Sequence, residues 1–112
     1  MIYKLVPIAD WARVATEDEV PPSALDRQDG YVHLSARDQI VETARRHYAG
    51  ATGLVLLAVD PERLGDDLRW EPSRDGALFP HLYGSLPVEA IVGAHELPAD
   101  VPVADAVTDL LS

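Results

Sequence analysis

Two histidines in this chain each stand two residues from another chemically able side chain, the spacing of a β-strand. In Tyr31-Val32-His33-Leu34-Ser35, alternation puts phenol, imidazole and hydroxyl on one face and Val32 and Leu34 on the other. His81-Leu82-Tyr83 repeats the pattern with imidazole and phenol. If the two strands are neighbours, Tyr31, His33, Ser35, His81 and Tyr83 line one surface. Three chemistries fit such a surface. An imidazole exchanges protons readily at neutral pH, so His33 or His81 could act as general acid or base. The two imidazoles with Glu71 could offer a zinc ion three ligands and an open fourth position, although their spacing matches no helical or knuckle motif. Finally, Trp70, Phe79 and Tyr83 could stack on a planar ring while the histidines, Lys4 and Arg74 hydrogen-bond an attached polar group. Either histidine alone reads most simply as a core imidazole satisfied by backbone groups. The matching pattern of the two strands favours a shared site. His47, beside Arg45 and Arg46, and His95, near the end of the last strand, are expected in solvent.

The stretch WEPSRDGALFPHLYG, residues 70–84, crowds an indole, a carboxylate, guanidinium, imidazole and phenol around two prolines and two glycines. Such composition predicts a long irregular loop, and loops of that length usually carry function. The plain reading is a surface loop whose Trp70 and Phe79 plug the core. The functional one makes the segment a pocket wall.

Composition narrows the field. A chain of 112 residues predicts a single domain, 1–112. The absence of cysteine rules out disulfides, thiolate nucleophiles and thiolate zinc sites. A net charge of -10 disfavours nucleic acid and anionic membranes, so no DNA contact is expected. Lys4, Arg69 and Arg74 could still make a local positive spot for one small anion. The longest apolar run, Leu54 to Val59, is far too short to span a bilayer, and Met1-Ile2-Tyr3-Lys4 carries no export pattern, so the cytoplasm is the expected compartment. Oligomeric state is left open.

The elements that must position these residues follow from periodicity. Ile2 to Val6 reads as a first strand, and Asp10 as the cap of a helix over Trp11 to Ala15, with Trp11, Val14 and Ala15 on one face. Glu17 to Pro22 reads as a loop, Asp26 to Gly30 as a turn, and Tyr31 to Ser35 as a second strand. Ser35 is expected to cap a helix bearing Ile40, Val41, Ala44 and Tyr48 inward, with Gly50 as its stop. Leu54 to Asp60, apolar without alternation, predicts a central strand covered on both faces. Short strands at Leu68 to Glu71 and from His81, a long strand at Val88 to Leu97 and a helix over Val103 to Leu111 complete an α+β pattern without βαβ rhythm.

In combination, IYKLV, DGYVHLS (29–35), LVLLAVDPERLG (54–65) and LRWEPSRDGALFPHLYGSLP (68–87) resemble the bacterial family called domain of unknown function 952. The resemblance runs from Ile2 to about Leu97. It implies an ADP-ribosyltransferase-like fold, a split, curved, mostly antiparallel sheet with two to three flanking helices, which grips nicotinamide adenine dinucleotide (NAD) in a central cleft. It puts Lys4 where relatives often carry a first-strand His, His33 at an aromatic position, Ser35 at a small or hydroxyl position, and His81 at or beside the catalytic carboxylate. An imidazole cannot supply that carboxylate's negative charge, which argues against ordinary protein ADP-ribosylation. Divergent members of the fold that act on RNA 2'-phosphates use His and Arg instead, and Glu71 could reach the cleft.

The expected function is therefore a cleft for NAD, ADP-ribose or a similar nucleotide-like small polar molecule, with a divergent ADP-ribosyl or NAD-processing transferase as its catalytic form. His33 and His81 are the candidate catalytic pair. Lys4, Ser35, Trp70, Glu71, Arg74 and Tyr83 are the candidate ligand-binding residues. The alternatives are a non-catalytic binding or regulatory module and, third, a histidine-dependent metal hydrolase.

Overall fold

The computed structural model describes residues 1–112 except the side chain of Arg74. β1 (Ile2–Pro7) runs between β4 (Ser35–Ala36) and β5 (Leu54–Val59), with β9 (Ile91–Glu96) outside β5, in a four-stranded sheet. A second sheet orders β3 (Val32–His33), β7 (Leu78–Leu82) and β6 (Leu68–Pro72). A two-stranded ladder joins β2 (Glu19–Val20) to β8 (Leu86–Pro87). Every pairing among the described residues is antiparallel. With helices α1 (Ile8–Glu17), α2 (Ala24–Asp29), α3 (Ile40–His47) and α4 (Val103–Leu111), the class is α+β, one helix more than the flanking set expected. No helix among the described residues is long and apolar enough to cross a membrane.

β5 explains why the core has two halves. All but Ala58 of its residues are buried, as its unbroken apolar run demands, so each face needs its own cover. Val55, Leu57 and Val59 meet Ile2, Val6, Val14, Leu34 and Leu82 on one side. Leu54 and Leu56 join Tyr3, Leu5 and the inner faces of α3 and α4 on the other. Lys4 shares its face of β1 with Ile2 and Val6, so an ammonium points into the half of the core that the second sheet covers.

Several local expectations give way to stronger constraints. α1 starts at Ile8 straight from β1, with Pro7 as N-cap, and Asp10 lies inside its first turn; of the expected face, Val14 is buried and Ala15 exposed. Part of the expected loop from Glu17 to Pro22 forms β2 because Val20 finds Leu86 to pair with. The Asp26–Gly30 turn is the end of α2, nucleated by a reciprocal capping box between Ser23 and Asp26 and closed by Gly30 at φ +84°. Ser35 does not cap α3: Gln39 is the N-cap, and the Ser35 hydroxyl lies 2.9 Å from that of Thr43. A 3₁₀ turn at Val88–Ala90 precedes β9 and delays it to Ile91.

The 70–84 segment is not irregular. It is the greater part of the β6–β7 hairpin, in register from Leu68 opposite Leu82 to Pro72 opposite Leu78, with Asp75 (φ 57°) and Gly76 (φ 80°) at its tip. Pro80 is accommodated because its carbonyl takes the Leu34 amide at 3.2 Å, and the N–H it lacks faces the point where β3 ends.

Leu57 has no exposed surface. Leu57→Ala is expected to lower unfolding free energy by about 2–5 kcal/mol in urea denaturation, while Leu78→Ala, at a site 52 % exposed, stays within about 0.5 kcal/mol.

Candidate functional site

The buried carboxylate of Asp26 organises the site. Its Oδ2 takes the Ser23 amide at 2.9 Å and the Lys4 ammonium at 3.1 Å. Its Oδ1 takes the His33 amide at 3.0 Å and lies 2.7 Å from His33 Nδ1. Lys4 also donates to the His33 carbonyl at 3.0 Å. Burial pushes the Asp26 carboxyl up, but the His33 imidazole hydrogen bond, the Lys4 charge and the Ser23 and His33 amides outweigh it and hold the group well below its ordinary range. Burial lowers Lys4 against the opposing pull of Asp26. The Lys4 side chain is 6 % exposed, so the ammonium offered to an external anion by the sequence is committed to bracing α2 and β3.

The two imidazoles do meet. His33 and His81 are cross-strand partners of β3 and β7, with ring centroids 5.8 Å apart and edge to face. Tyr31 stacks on His81 at 4.1 Å, leans on His33 at 4.6 Å and reaches Tyr83 at 5.3 Å. Burial, then the charges of Asp29, Glu71 and Asp26, raises its phenol. Behind Tyr31, Glu71 Oε1 accepts the Tyr83 hydroxyl at 2.6 Å and lies 2.9 Å from His81 Nδ1. These bonds hold Glu71 below the ordinary carboxyl value and raise Tyr83. The Arg69 guanidinium lies 4.9 Å over the Tyr83 ring.

A cavity of about 630 Å³ opens between α2, α3 and the two sheets. Lys4, His33 and Ser35 line it, together with Asp29, Tyr31 and Phe79. Ser23, Thr43 and Ser73 also line it, with Arg46 and His47 at the end of α3. His47, expected simply in solvent, is exposed and also part of this lining. Glu71, His81 and Tyr83 stand behind Tyr31 and outside the lining. Trp70 is not brought in at all: alternation along β6 turns it away from Arg69 and Glu71, and it is 46 % exposed. Arg74 lies outside the described side chains. No trio of His, Asp or Glu among the described residues is placed to hold a metal. His33 instead faces Asp26 with one ring nitrogen and Asp29 with the other, and His81 turns Nδ1 to Glu71.

Sequence reasoning missed Asp26 and Asp29. The available signal was Ser23-x-x-Asp26 with Gly30 beyond, a capping box and αL stop that make a helix and leave its carboxylates facing the next strand.

An ionised Asp26 whose folded value is depressed adds stability above the unfolded carboxyl value near 3.8, and this is lost as pH falls below it. Asp26→Asn is therefore expected to cost about 3–5 kcal/mol at pH 7, with the gap to the parent chain closing below about pH 4 in pH-resolved denaturation.

Comparison places this architecture among known proteins. The crystal structure of protein CC0527 from Caulobacter crescentus is 42 % identical, with a TM-score of 0.86 over 96 % of this chain and 97 % of that one. The solution structure of CC0527 gives 44 % identity and a TM-score of 0.78 over 91 % and 90 %. No curated protein matches. The family model described as protein of unknown function DUF952 matches residues 5–94, most of the chain and every described site residue but Lys4, and the chain belongs to that family.

Proposed function

We propose that the chain binds a nucleotide-like small polar molecule, of the NAD or ADP-ribose class, in the cavity beside His33, on an ADP-ribosyltransferase-like scaffold. The observation that carries the reading is the cavity itself. At about 630 Å³ it lies within the usual range for small-molecule sites, and it combines aromatic walls, hydroxyls and a fixed imidazole. Its position between two antiparallel sheets supports the scaffold reading, and the hydroxyl-rich lining suits a sugar. His33 and Ser35 meet the ligand in this reading, Tyr31 offers it a flat face, and His81, Glu71 and Tyr83 buttress Tyr31 from behind. Lys4 acts through His33 rather than by touching an anion.

A divergent ADP-ribosyl or NAD-processing transferase is the catalytic form of the proposal. It would need a carboxylate beside the ribose, and Glu71 would reach it only if Tyr31 moved aside. The second reading is a non-catalytic binding module, favoured by the position of Glu71 outside the lining.

ADP-ribose or NAD at about a hundred times its dissociation constant is expected to add about 2.7 kcal/mol of stability, read as a thermal shift of several degrees that His33→Ala abolishes. Release of nicotinamide from NAD would mark the transferase, and binding without release the module. No shift with either compound would overturn the ligand assignment.

A further inference from the structure

His33 turns its two ring nitrogens toward two carboxylates of one short helix. Nδ1 lies 2.7 Å from Asp26 Oδ1, and Nε2 lies 2.9 Å from Asp29 Oδ2. An ionised carboxylate accepts and cannot donate, so the arrangement is satisfied by a ring that carries N–H on both sides. The two carboxylates differ in kind. The Asp26 side chain is 1 % exposed and is held by Lys4 and two amides as well as by the ring. The Asp29 side chain is 33 % exposed, and both it and His33 line the cavity. Asp29 is also the last residue of α2, where the negative end of the helix disfavours a carboxylate. Partly exposed as it is, Asp29 meets water when it lets go of His33. Beneath the ring Lys4 and Asp26 offset one another, while Tyr31 and His81 flank it as neighbouring aromatic faces. Once Asp29 swings away, His33 Nε2–H faces the cavity.

We infer that Asp29 is a built-in competitor: its carboxylate occupies the His33 Nε2–H that an oxyanion of a cavity ligand, phosphoryl or carboxylate, takes on binding. The inference rests on reading the cavity as a ligand site and adds to it the chemical group that ligand presents to His33. Asp29 marks the place of that group, and binding exchanges one charge-assisted hydrogen bond for another of the same type. The exchange makes unliganded α2 closed over His33 and liganded α2 released at its last turn.

The test titrates inorganic phosphate and, separately, acetate into the full chain and into Asp29→Ala and Asp29→Asn, at constant ionic strength. Long-range proton–nitrogen NMR of the His33 ring and calorimetry with ADP-ribose supply the two readings. Phosphate or acetate is expected to move the Nε2 resonance of Asp29→Ala at concentrations about tenfold below those needed by the parent chain, the effect of removing one competing hydrogen bond. Asp29→Asn, which keeps the shape and loses the charge, falls between the two. A response to phosphate alone identifies a phosphoryl group, and an equal response to acetate identifies oxyanions in general. Equal concentrations in all three proteins, or no movement of the ring in any, would overturn the inference. Movement in Asp29→Ala without ADP-ribose binding by any of the three would sustain the competitor and remove the nucleotide reading.

Discussion

A carboxylate sealed inside protein must be surrounded by donors, and the site is built around meeting that demand for Asp26. An unpaired buried charge costs several kcal/mol, so the ammonium of Lys4, the imidazole and amide of His33 and the amide of Ser23 converge on one group. Each comes from a different place in the chain: β1, β3 and the residue before α2. The demand therefore fixes where α2 lies over the first strand, and how His33 is turned. A His33 oriented by packing alone would have several rotamers to choose from.

The same demand explains the unequal roles of the two imidazoles. Cross-strand pairing brings them together, yet each is held by different carboxylates. His33, with Asp26 and Asp29, belongs to the cavity, and His81, with Glu71 and Tyr83, belongs to the support of the tyrosine. Tyr31 is thus a partition with an aromatic stack behind it. The CC0527 structures, at over 40 % identity across nearly the whole chain, share the architecture in which this partition is placed.

The sequence revealed what periodicity controls. The central strand was legible in the unbroken apolar run 54–59, α3 in the spacing of Ile40, Val41, Ala44 and Tyr48, and the meeting of His33 with His81 in two short alternating segments. Features decided by partners far along the chain were not legible. Pro72 and Pro80 read as breakers because nothing local shows that the missing Pro80 N–H faces the end of a neighbouring strand. Trp70 was expected in the pocket from composition, but the regular pleat of β6 sends it to the other face. Lys4 looked available to an anion because its partner, Asp26, is concealed in what reads as a turn.

One feature of the chain path governs the dimensions of the cleft. His33 pairs within the second sheet and Ser35 within the first, leaving Leu34, only 3 % exposed, as the span between them. Two residues cover at most about 7 Å, so at this seam the opposing walls are tethered by covalent geometry and cannot drift apart. At the far rim the walls are α2 and α3, joined along the chain only through residues 30–39. The cavity is therefore bounded by a covalent seam at one end and by packed helices at the other.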